Sequence, residues 1–226
     1  MLSKLSFRRM TGRGILIIFE GIDRSGKSTQ SQRLVEYLSS KGLKTHLRRV
    51  PDRNEPLTGP AIDKFLQTAT SVDQSKNTLH LLFSANRWAI IDEIKNYLDK
   101  GVNVICDRYV YSGISYSLAK GLDRKWVISP DVGLPSPDIV LFFDISPETT
   151  RARGGFGDEV FEKKVFQEIV YKEMKSLMAK NEKICKIIDA DRPMDEITKD
   201  VQQIVIENLD SLKKEPLKYL TESDLL

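Results

Sequence analysis

Apolar residues gather along this chain in five short runs, separated by polar segments with a helical period. Residues 14–20 (Gly-Ile-Leu-Ile-Ile-Phe-Glu) form a continuous apolar run rich in β-branched side chains, which suits a central strand covered on both faces. Comparable runs lie at 43–50, 102–106, 139–143 and 184–188, and the last three lead directly into Asp107, Asp144 and Asp189. Between the runs, 27–41 carries Leu34, Val35 and Leu38 at helical spacing before a stop at Gly42, and further helical patterns cover 76–100, 159–180 and 195–209. Residues 51–60, with Asp52, Asn54, Gly59 and three prolines, predict a loop. This alternation predicts a doubly wound α/β fold in one domain spanning 14–212. Ligands of such sheets bind outside the carboxyl ends of the strands, so the three terminal aspartates are placed for chemistry.

Composition refines this picture without redirecting it. A chain of 226 residues with 40% apolar and 30% charged positions can bury a sizeable core. The formal charge of +3, with both signs interspersed, calls for neither a nucleic-acid nor a membrane partner. Cys106 and Cys185 each sit in an apolar run and read as buried thiols of a reducing compartment, which fits a cytoplasmic or nuclear location. Residues 1–13 predict a disordered extension, although Lys4, Arg8, Arg9 and the absence of acids up to residue 12 also match a short mitochondrial-type presequence. The stretch 151–157, with three glycines and two arginines, predicts a mobile basic loop, and 213–226 predicts a loose tail.

The candidate chemistry starts directly after the first apolar run. Gly21-Ile22-Asp23-Arg24-Ser25-Gly26-Lys27-Ser28 has the spacing of a phosphate-binding P-loop, with a strand before it and an amphipathic helix after it. Gly21, Ser25 and Gly26 let backbone N–H groups turn toward phosphate oxygens, Lys27 adds a point charge, and the Ser28 hydroxyl is a candidate Mg²⁺ ligand. Thr29 follows as a helix residue beside the phosphates. Arg24, inside the loop, would set a guanidinium against a transferring phosphoryl group. No Asn-Lys-x-Asp guanine-reading motif is present, which points away from GTPases. Asp107-Arg108-Tyr109, at a strand end, offers a carboxylate for Mg²⁺ and an arginine for phosphate, or else a surface ion pair.

Taken together the motifs resemble those of the thymidylate kinases, in particular the group with an arginine in the P-loop. The similarity rests on Phe19-Glu20-Gly21 through Gln30, Leu79-His80-Leu81-Leu82-Phe83-Ser84-Ala85-Asn86-Arg87-Trp88, Asp107-Arg108-Tyr109 with Ser112-Gly113, Pro130-Asp131-Val132-Gly133-Leu134-Pro135, and Arg153-Gly154-Gly155-Phe156-Gly157. It implies a nucleoside monophosphate kinase fold with a five-stranded parallel sheet, flanking helices and a lid at about 151–161. It further implies transfer of the γ-phosphoryl of Mg·ATP to dTMP for dTTP synthesis by a homodimer. On this resemblance Arg24, Lys27 and Arg108 are catalytic, and Arg49 and Arg108 clamp the acceptor phosphate. Phe83 stacks on thymine, Arg87 donates to a thymine carbonyl and Asp23 meets the sugar 3′-hydroxyl. Ser112, Gly113 and Tyr116 contact the base and wall off a 2′-hydroxyl. Gly21, Ser25, Gly26, Ser28 and Thr29 belong to the ATP side, with Arg153 stacking on adenine and Asp191 in the neighbouring loop. Ser28 and Asp107 are the metal-side residues. Val50, Ala89 and Phe161 depart from the family pattern at the substrate rim.

Two other readings share these residues. A kinase acting on another nucleoside monophosphate would keep the whole phosphate machinery, whereas a deoxynucleoside acceptor would need a carboxylate base in place of the two acceptor arginines. A regulatory module would bind ATP without turnover, which the set of Lys27, Ser28, Arg24 and Asp107 argues against.

Overall fold

The computed structural model describes residues 12–71, 74–153 and 164–226. Strands β1 (Leu16–Glu20), β2 (Thr45–Arg49), β3 (Asn103–Asp107), β4 (Ile139–Asp144) and β5 (Cys185–Asp189) form one parallel sheet in the order β2-β3-β1-β4-β5. The apolar runs of β1 and β3 are buried throughout, as strands with both faces covered must be, while the edge strands β2 and β5 are partly exposed. Registers of Phe19 with Asp107, Arg49 with Asp107 and Asp144 with Asp189 bring the acidic strand ends to one rim of the sheet. Both cysteines are buried free thiols.

Helices α1 (Lys27–Ser40), α2 (Gly59–Thr68), α3 (Lys76–Asp99), α4 (Val110–Ala119), α5 (Arg124–Ile128), α6 (Pro147–Ala152), α7 (Lys164–Lys180), α8 (Met194–Leu212) and α9 (Glu222–Leu225) complete the described chain. The amphipathic patterns located α1, α3, α7 and α8. Helix α4 escaped because Val110, Tyr111, Ser112, Ile114, Ser115 and Ser117 are all buried, which leaves no polar stripe to reveal a period. Among the described residues no helix is long and apolar enough to cross a membrane.

Two boundary expectations are corrected. The 213–226 segment is not a loose tail: Leu220 and Leu225 are buried, and the backbone around Leu220 pairs with Gly133, Leu134 and Ser136. Its apolar side chains supply the burial that its charged residues conceal in sequence. Arg13, assigned to a disordered extension, is anchored by Asp138 at 2.6 and 2.7 Å and by the Glu215 carbonyl at 2.9 Å. Most of the expected lid, from 154 onward and including Phe161, lies outside the described residues; Arg151 and Ala152 end α6.

Candidate active site

The turn after β1 departs from ordinary backbone geometry. Gly21, Arg24 and Gly26 have φ of 150°, 62° and 94°. A side chain at Gly21 would sit 2.9 Å from the Phe143 carbonyl, so only glycine lets this loop pass so close to β4. Gly26 caps the N-terminus of α1, whose first residues are Lys27, Ser28 and Thr29. The Lys27 ammonium folds back into the loop, donating to the Ile22 carbonyl at 2.6 Å and to Ser25 Oγ at 3.1 Å. Burial, aided by the charge of Arg108 and opposed by Asp107, Asp23 and Glu20, brings its pKa down to about 7. Ser28 Oγ donates to Asp107 Oδ2 at 2.5 Å, while Ser28 and Thr29 remain exposed. Arg49 Nε lies 3.7 Å from the same carboxylate oxygen with most of its side chain in solvent.

Arg108 joins this loop to α4. It too has a left-handed backbone, with φ of 71°, and its N–H donates to the Phe19 carbonyl at 2.9 Å. Its Nη1 donates to the Gly21 carbonyl and to Ser112 Oγ, each at 2.9 Å, and its Nη2 pairs with Asp23. Asp23 also accepts from Tyr116 OH at 2.8 Å and from Gln167 Nε2 at 2.9 Å. Burial would raise the Asp23 pKa, but Arg108 and Lys27 outweigh it and hold the carboxyl below its usual range. Behind them Glu20 is wholly buried and accepts from the Tyr109 and Ser112 amides at 2.9 and 3.1 Å and from the Ser112 hydroxyl. Burial raises its pKa against the pull of Ser112 and Arg108.

From Asp23 and Arg108 a cleft of about 180 Å³ runs between α3 and α4. Phe83, Arg87, Ser112, Gly113 and Tyr116 line it, as does Val50, one of the departures from the family pattern. Ala89 is exposed on α3. Arg87 is buried against Asp131, and a Cβ at Gly113 would lie 2.6 Å from its Nη1, so the glycine makes room for the guanidinium. Asn86 Nδ2 donates to the Asp52 carbonyl at 2.9 Å and to Thr58 Oγ1 at 2.8 Å, tying the 51–58 loop over the cleft. On the opposite side of the P-loop, Arg153 donates to the Ala190 carbonyl at 2.6 Å and lies 4.0 Å from Asp191.

The structure therefore brings together Asp23, Lys27, Ser28, Asp107, Arg108, Ser112, Gly113, Tyr116, Phe83 and Arg87, while Arg49 stands at the rim. Sequence reasoning assigned no role to Glu20, Arg53, Asp131 or Gln167. Gln167 had a legible signal: it is a polar residue on the buried face of α7 shared by Phe166, Val170 and Met174. Arg53, which also lines the cleft, stands in a polar loop and had none.

Comparison with known proteins gives the same grouping. The thymidylate kinase family model matches residues 19–201. Thymidylate kinase of Caenorhabditis elegans is 46% identical over 210 residues, covering 89% of this chain and 94% of the relative. That of Homo sapiens is 37% identical over 209 residues, covering 92% and 97%. A solved structure of thymidylate kinase from Candida albicans, described as broad in substrate specificity, superposes with a TM-score of 0.81 at 35% identity, covering 93% of this chain and all of that one. With its P-loop, its Asp107-Arg108-Tyr109 strand end and its cleft falling within the matched span, the chain belongs to the thymidylate kinase family.

Proposed function

We infer that this protein transfers the γ-phosphoryl of ATP to the 5′-phosphate of dTMP, giving dTDP and ADP, and that it belongs to the group using an arginine of the P-loop. The observation that carries this reading is the continuity of the α3–α4 cleft, with Phe83 and Arg87 at one end, into the phosphate loop through Arg108 and Asp23 at the other. An acceptor lying in the cleft with its base beside Phe83 would point its phosphate at Lys27 and Arg24.

An anionic oxygen of the acceptor phosphate attacks the γ-phosphorus while the bond to the β,γ-bridging oxygen breaks, and ADP leaves with that electron pair. The nucleophile is already deprotonated, so positioning and charge stabilisation supply the catalysis and no general base is required. Arg108 and Arg49 hold the acceptor phosphate, Lys27 and the loop amides hold the donor, and Arg24 spans the two. Asp23 receives the sugar 3′-hydroxyl, with Tyr116 and Gln167 fixing its carboxylate. Arg153 and Asp191 flank the adenine. Ser28 and Asp107 present hard oxygen donors in direct contact, a set that fits Mg²⁺ and would hold it, and the ion would supply positive charge against the phosphates of the donor.

The test is ADP release with Mg·ATP against thymidylate, deoxyuridylate, deoxycytidylate, adenylate and thymidine. Turnover should be highest with thymidylate. Preference for another monophosphate would leave the phosphate chemistry in place and overturn the base assignments, and ATP binding without turnover on any acceptor would overturn the kinase reading. The homodimer and the cytoplasmic setting implied by the family belong to the same proposal, to be read by sedimentation equilibrium and cell fractionation.

A further inference from the structure

Behind the base end of the cleft lies a carboxylate that the reaction does not use. Asp131 ends a one-turn 3₁₀ helix (Ser129–Asp131) and is fully buried. Its Oδ1 accepts from Arg87 Nε at 3.0 Å and from Ser84 Oγ at 2.7 Å, and its Oδ2 accepts from Arg87 Nη2 at 2.5 Å. Asp131 does not line the cleft; Arg87 does. Two of the three guanidinium nitrogens are thereby committed to the carboxylate, and the third, Nη1, comes nearest the Cβ position of Gly113. The carboxylate is itself immobilised. Trp88 Nε1 donates to the Pro130 carbonyl at 2.6 Å, the Gly133 amide donates to the Leu220 carbonyl at 2.9 Å, and the Leu220 amide donates to the Leu134 carbonyl at 2.8 Å. The C-terminal segment thus straps down the loop that carries Asp131.

An unpaired arginine in a closed cleft would attract any anion, including the acceptor's own phosphate in a reversed pose. Paired, it presents an N–H edge with its net charge cancelled.

We propose that Asp131 is a positioning residue that determines acceptor specificity through Arg87, cancelling its charge and fixing its N–H edge toward a neutral carbonyl of the pyrimidine. This rests on the reading in which the base enters beside Phe83 and Arg87. A base with an amino group in place of that carbonyl meets a donor that cannot turn away, so deoxycytidylate is rejected. Asp131→Asn places an amide N–H₂ against the guanidinium and frees it to swing.

Asp131→Asn should raise KM for dTMP about ten-fold and lower the dTMP/dCMP preference, as expected when a buried donor loses its fixed partner. KM for ATP and kcat with saturating dTMP should change less than about two-fold, a split that general loosening of the fold would not give. Arg87→Met with Asp131→Asn should be no worse than Arg87→Met alone, because both act at one contact. An unchanged KM for dTMP in Asp131→Asn beside a raised one in Arg87→Met would overturn the inference, as would additive effects. An unchanged KM in Arg87→Met would remove the base-end reading and this inference together. If Asp131→Asn does not fold, Ser84→Ala removes one bond to Asp131 without burying a lone charge. It should raise KM for dTMP about three-fold, and no change would again overturn the proposal.

Discussion

At the phosphate end of the cleft the backbone carries the geometry. Gly21, Arg24, Gly26 and Arg108 all have positive φ, and the groups gathered there are loop amides, a folded-back lysine and arginines on turns. At the base end two regular helices carry it: Phe83 and Arg87 project from α3, Gly113 and Tyr116 from α4, and the missing Cβ of one glycine sets how close the guanidinium can come. A site made of turns tolerates few residue types and should fail abruptly. One made of helix faces can shift by fractions of an ångström, so its changes should be graded and show in KM before kcat.

The largest effect expected is at Arg24. Arg24→Ala should lower kcat by about 10³-fold or more, the scale of arginines that stabilise phosphoryl-transfer charge, with KM for both substrates changed little. A loss confined to KM would break the comparison. Phe83→Ala should raise KM for dTMP about ten-fold through lost base stacking while leaving kcat near its original value; steady-state kinetics in dTMP reads this directly.

Titration of Lys27 sharpens the comparison from the phosphate side. Its pKa of about 7 lies below its ordinary 10.5, so between these values the unfolded chain holds a proton that the ligand-free fold lacks, and stability from this group rises with pH across that window. Phosphates favour the ammonium, so ATP binding should take up a proton above pH 7, with affinity falling by no more than about ten-fold per pH unit. Calorimetry in two buffers of different ionisation enthalpy measures the uptake, and Phe83→Ala should leave it unchanged. The smallest effect expected is Gly113→Ala, where a methyl 2.6 Å from Arg87 Nη1 must push the guanidinium aside. A rise in KM for dTMP of about three-fold, without change in KM for ATP, is the expected outcome.

The same division decides what could be read before the structure was known. The strand runs and the P-loop spacing are local patterns, and the loop's geometry follows from residues within eight positions of each other. Asp131, 44 positions from Arg87, carries no local mark of its pairing, because a buried ion pair is defined only by tertiary contact. Glu20 is similar: three donors from the 109–112 turn, about 90 positions away, satisfy it. Arg49 shows the opposite limit, since its resemblance to a phosphate clamp was legible but its mostly solvated side chain was not. The 213–226 segment misled because its charges outnumber the two leucines that bury it.

Arg24 and Arg108 hold left-handed backbones that disfavour a side-chain-bearing residue by ~1–2 kcal/mol. Glycine in either position would relieve that strain, in return for ~0.5–1 kcal/mol of added freedom in the unfolded chain. Loss of Arg24 to glycine would therefore relieve the backbone while removing the guanidinium from the loop, whereas loss of Arg108 would also leave Asp23 without its buried partner and the Gly21 carbonyl without a donor. Folded yield after either loss would report on backbone strain and buried charge, so in this protein it is no proxy for turnover.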